Sequence, residues 1–159
     1  MLKIIGICIL LFTIFYISSA LCEKERKRVF LLSEISKFMH ELRISLAVSM
    51  KPLGDVCREF KTDEPYLSSL LKGEFKPISD PISLGELEGR LGRDAAGVFV
   101  SFISGFGRGY LSEEIRRCDV AIKEFDGIYT AERSATSKRL RVFKTLGVAS
   151  MFALVILFI

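Results

Sequence analysis

Four cysteines and one histidine are the residues of this 159-residue chain with the widest chemical reach, and their spacing decides how much of it is open to them. A zinc site draws on four nitrogen, sulfur or oxygen ligands, commonly supplied as closely spaced pairs. Here Cys8 and Cys22 fall inside one apolar run, Cys57 and Cys118 stand alone, and His40 has no second histidine to join it. No metal site follows from that pattern. The glycine cluster GFGRG at 105–109 has the composition of a phosphate-cradling loop, but a nucleotide fingerprint follows a strand, and this cluster follows an apolar run of helical spacing. Glu113 and Glu114 are neighbouring carboxylates of a type used in acid–base chemistry; at the start of a helix they serve its positive end instead. There is no P-loop, no GxSxG and no HExxH. The sequence implies neither catalysis nor a cofactor, and an enzymatic reading survives only through chemistry that no motif marks.

The elements that must carry these residues begin with an apolar segment at each end. Ile4 to Cys22 is a run of 19 residues without a formal charge, and Leu146 to Ile159 gives 14 more, or 18 from Val142 with Lys144 as the one charge, long enough to snorkel. A bilayer core about 30 Å thick takes roughly 20 residues of apolar helix. Both segments can therefore span. The division expected is a short end at residues 1–3, a transmembrane helix at 4–22, a helical cytoplasmic domain at 23–141 and a transmembrane helix at 142–159. Two other readings compete. Ser18 and Ala20 have the spacing of a signal-peptide cleavage site, but EKERKR at 23–28 would then follow the apolar run across the membrane, against the positive-inside rule. A lipoprotein role for Cys22 suffers from Leu21, where a small side chain is wanted. A buried core helix at the far end would need more interior than 119 middle residues offer.

Basic residues orient both spans the same way. Lys3 stands on one side of the first against Lys24, Arg26, Lys27 and Arg28 on the other; Arg133, Lys138, Arg139, Arg141 and Lys144 precede the second, and nothing follows it. The middle is then cytoplasmic, and the last helix needs no tail, since its carboxylate only has to reach water on the far side. All 19 acidic and 21 of the 23 basic residues lie in the middle, a formal charge of about +2 that is no nucleic-acid signature. The basic residues concentrate beside the membrane, where each gains about 1 kcal/mol from anionic lipid. A cytoplasmic location also keeps thiols reduced.

Within the middle, Leu31, Ile35, Phe38, Leu42, Leu46 and Ser49 step by four and three along one helix face, with Glu34 and Lys37 mostly elsewhere, and this helix continues from the first span. It breaks near Pro52 and Gly54, and GDVCREFK forms a shorter helical piece. Asp63 reads as an N-cap, leading PYLSSLLK to a stop at Gly73. KPISDPIS at 76–83 reads as a loop, with Ser83 and Glu86 as the capping box of the next helix. Asp94 then caps a core helix through Ala95, Val98, Phe99, Phe102, Ile103 and Phe106, ended by Gly105, Gly107 and Gly109. From Ser112, Ile115, Cys118, Ile122, Phe125 and Tyr129 form a seam suited to the helix of Leu31 to Ser49. Continuous to Ile159, this last helix has 48 residues and extends roughly 72 Å. The fold class expected is all-α, a helical bundle flanked by two membrane helices.

The opening MLKIIG, the PL that follows the long amphipathic helix, the run FISGFGRGY and FKTLG before the terminal apolar span resemble, in order and spacing, the stage III sporulation protein AB family of endospore-forming bacteria. The family pattern FGxxLGxxD falls on Phe102, Ile103, Phe106, Gly107 and Tyr110. Ile103 replaces a glycine, Phe106 a leucine and Tyr110 an aspartate, and Glu114 stands where glutamine is usual. The resemblance implies a non-enzymatic platform or adaptor in the channel-like assembly between mother cell and forespore, in the mother-cell membrane around the forespore. It also implies a domain similar to the F-type platforms of type II secretion. Implied partners are membrane lipid, an ATPase like stage III sporulation protein AA, the other channel subunits and a further copy of the chain, but no nucleic acid. The candidate interaction surface is the turn Gly105, Phe106, Gly107, Arg108, Gly109 and Tyr110, where an aromatic between two core helices can anchor a partner; a plain turn with a buried ring is the competing reading. A different class also fits two spans: an unrelated membrane protein that regulates or scaffolds another complex, or a sensor without catalysis of its own.

Overall fold

The structure, a computed structural model, describes residues 2–49, 51–72, 81–107 and 110–158, with 2–11, 14–15, 81–83, 144 and 151–158 described for their backbone alone. Among the described residues the chain is helical with no strand: α1 (Leu2–Ser49), α2 (Leu53–Glu59), α3 (Pro65–Lys72), α4 (Pro81–Leu91), α5 (Arg93–Gly105) and α6 (Leu111–Phe158). It divides into two compact units, a helix pair made of Met1–Lys27 with Glu132–Ile159 and a bundle made of Arg28–Ala131. Arg108 and Gly109 of the candidate surface, the Gly73 stop and residues 76–80 of the expected loop lie outside the described residues.

The bundle is built on the stripe that α1 presents. Leu31, Ile35, Phe38 and Leu42 are sealed from solvent, joined by Leu32 and Met39 on the flanks. Phe38 is the centre, with its ring edge-on to Phe60 at 5.2 Å and to Phe99 of α5 at 6.4 Å. Burying a side chain of this size contributes about 1.5–3 kcal/mol. Cys118, Ile122 and Phe125 of α6 close the core, and polar pairs fix the antiparallel register. The Ser36 hydroxyl donates to Asp126 Oδ1 at 2.6 Å, His40 Nε2 lies 3.0 Å from Asp126 Oδ2, and Arg43 Nε donates to Asp119 Oδ1 at 2.8 Å.

Several local expectations give way to backbone geometry. α3 is capped by Glu64 rather than Asp63: the Glu64 carboxylate accepts the Tyr66 and Leu67 N–H groups at 2.7 and 3.4 Å, with Pro65 at the first helical position. α4 begins at Pro81, so 81–83 are helix rather than loop and Ser83 is inside the first turn rather than at its cap. α5 is entered through Gly92, not capped by Asp94. Gly92 has φ +92°, and a Cβ there would stand 2.6 Å from the guanidinium of Arg28, which donates to the Leu91 carbonyl at 3.1 Å.

Glu34 is buried rather than on the polar face. Its carboxylate takes Lys37 Nζ at 2.6 Å and the Thr62 hydroxyl at 2.8 Å, tying α1 to the segment before α3. Burial alone would raise its pKa, but these two partners outweigh that and hold it below the usual carboxylate value.

In the helix pair, Phe12, Tyr16, Ile17 and Leu21 of α1 and Val142, Leu146 and Val148 of α6 are exposed. The partly buried residues of α6 in this pair include Leu140 and Phe143 as well as polar and small ones. Glu25 accepts the buried Thr136 hydroxyl at 3.3 Å and pairs with Arg139 at 3.6 Å, and Gly147 faces the Ser18 hydroxyl, 3.8 Å from where a Cβ would stand. Among the described residues no helix is long and apolar enough to cross a membrane. The expected spans at 4–22 and 142–159 lie in large part outside the described side chains.

Candidate functional site

The turn between α5 and α6 gathers Gly105, Phe106, Gly107 and Tyr110 of the candidate surface. α5 stops because Phe106 is extended, its N–H returning to the Ile103 carbonyl at 3.2 Å, and Gly107 has φ +82°, a left-handed conformation that side chains resist. α6 then starts on the Tyr110 carbonyl, which accepts from Glu113 and Glu114 N–H at 3.0 and 2.9 Å. Glu114 itself is 4% exposed, and its Oε2 accepts the Gly107 N–H at 3.1 Å. A carboxylate expected only to favour the helix dipole thus also ties the turn to α6, and an acidic residue seven positions after a turn glycine is the signal that could have shown it.

The ring positions differ sharply. Phe106 is half-buried, edge-on to Phe102 at 6.3 Å, while Tyr110 is 86% exposed. Arg117 lies over Gly105, its Nη1 3.5 Å from the Gly105 carbonyl. The turn is therefore held at Gly105, Phe106 and Gly107 and presents Tyr110 outward. Beside it, an open cleft of about 540 Å³ runs between α5 and α6, lined by Gly97, Ser101, Gly105, Val120, Ala121 and Glu124 among others.

His40 pairs with a carboxylate, and Cys57 and Cys118 are buried in the core. Ser36, His40 and Asp126 share one carboxylate in the middle, so the hydroxyl and the imidazole meet Asp126 and not each other, unlike a nucleophile activated by its base. Burial pushes the Cys57 and Cys118 thiols up to about 11, which leaves little thiolate at neutral pH. Among the described residues no group of three or more histidine, cysteine, aspartate or glutamate side chains could hold a metal ion. Comparison with family models, with curated proteins and with solved structures finds no match for the chain.

Proposed function

We propose that this chain is a non-catalytic membrane platform: the helix pair sits in the bilayer as two spans and the bundle stands in the cytoplasm as a docking module. The observation that carries the reading is the helix pair's outward surface, where seven large apolar side chains are exposed while Glu25 meets Thr136 and Ser18 meets Gly147 between the helices. In water such a surface is costly, and in lipid it is the favourable arrangement. The helix pair holds nine basic against three acidic residues, a charge of +6, which suits anionic headgroups beside the spans.

The resemblance to the stage III sporulation protein AB family narrows this to the channel-like complex of the mother-cell membrane around the forespore, with a cytoplasmic ATPase docked on the bundle. Tyr110 is its anchor, since an exposed aromatic on a fixed turn contributes contact area at low entropic cost. Deleting Leu146 to Ile159 in an endospore-forming host, with the protein at normal level, is expected to weaken assembly and lower spore formation. Sporulation at the wild-type frequency would overturn the platform reading.

A further inference from the structure

The cleft between α5 and α6 carries its own match. On α6, Arg116, Val120 and Glu124 recur at four-residue spacing, one face of a helix, and all three line the cleft. Val120 is a large apolar side chain that is 62% exposed, midway between a cation and an anion. Facing it, α5 supplies Gly97 and Ser101, a trough of small residues against which another helix can approach closely, with Gly105 one turn further on beneath the Arg117 guanidinium. Of the other charged groups in the lining, Glu114 is turned to the Gly107 N–H and Arg117 to the Gly105 carbonyl, the same end as Arg116. The cleft is thus basic at the turn end and acidic at the other, about 12 Å apart along α6.

A two-fold axis through Val120 lays the basic end of one such face over the acidic end of an identical one, and a symmetric interface requires this self-complementarity. We propose that the occupant is a second copy of this chain: two α6 helices cross antiparallel at Val120, Arg116 of each meets Glu124 of the other, and each Val120 fills space over the other's small-residue trough. Tyr110 does not line the cleft, so the pairing leaves the turn's exposed anchor available. The pairing does not depend on the platform reading, because it concerns only the bundle and its test reads mass rather than sporulation.

The test is the mass of the full chain in detergent micelles by light scattering, over a concentration series, with circular dichroism to verify folding. Wild type is expected to be a dimer. Arg116→Glu alone and Glu124→Arg alone each set like charges together and are expected to weaken dimerisation about tenfold. The double variant restores opposite charges and returns it toward the wild-type value. Val120→Asp, at an exposed position, is expected to give a folded monomer. A wild type that stays monomeric, a dimer indifferent to all four variants, or a double variant as weak as the worse single one would overturn the proposal.

Discussion

In the bundle, Phe38, Phe99 and Phe125 are sealed from solvent, whereas in the helix pair Phe12, Tyr16 and Leu146 lie open to it. Charge separates the two units in the same sense. The helix pair carries +6, while the bundle, with fourteen basic and sixteen acidic residues, carries −2. Aromatic and aliphatic residues thus fill an interior in one region and form an outer surface in the other. Hydrophobic content therefore does not define a core: the bundle buries its stripes against one another, while the described part of the pair leaves seven large apolar side chains exposed and buries Thr136 against Glu25.

Phe38→Ala removes the ring that meets Phe60 and Phe99 and is expected to cost about 3–5 kcal/mol, read as a large fall in the thermal midpoint of the bundle. Leu146→Arg acts on the other region. A charge facing lipid costs about 2.5–3.5 kcal/mol at the centre of a span and less toward its end, so membrane retention is expected to fall while the bundle's midpoint holds. Equal loss of bundle stability in both variants would mean that Leu146 belongs to a core after all.

Glu34→Ala leaves the Thr62 hydroxyl and Lys37 without their shared acceptor and is expected to cost about 1–3 kcal/mol in a urea titration. The pH profile should have two shoulders. Glu34 has its folded pKa lowered from 4.5, so its contribution is present above that pH and lost as pH falls through the lowered value. Cys57 and Cys118 are raised from 9.0 to about 11, so the stability they lend as neutral thiols is present below pH 9.0 and lost as pH rises toward about 11. Thermal midpoints recorded between acid and alkaline pH should be level in the middle and fall at both ends. Maleimide labelling of either thiol in native protein at neutral pH should be slow compared with the denatured chain.

Periodicity makes the long elements legible in the sequence. The stripes of α1, α5 and α6 predict about half of the core, and the seam on α6 names α1 as its partner, because burying one face of a helix constrains every third or fourth residue. Caps are the weak point. Asp63, Ser83 and Asp94 have the right chemistry for capping, but whether a side chain caps depends on the backbone beside it: Glu64 is positioned by Pro65, and Gly92 supplies a left-handed entrance that no side chain is needed to finish. Glu34 has the local pattern of a surface residue because its partner Thr62 is 28 positions away, a pairing no local pattern contains. At the candidate turn, Gly105, Gly107 and Tyr110 stand out by composition, while the hold of Glu114 on Gly107 and the cleft beside it arise only when α5 and α6 pack.

Lipid covering the exposed apolar face of the helix pair, as proposed above, is tested most directly by alkaline carbonate extraction of membranes from cells expressing the full chain, which strips proteins held by charge or by partners and leaves those whose apolar helices cross the bilayer. Retention of the wild-type chain in the membrane pellet is the predicted result. Its release into the supernatant, with the bundle still folded on return to neutral pH, would contradict the claim.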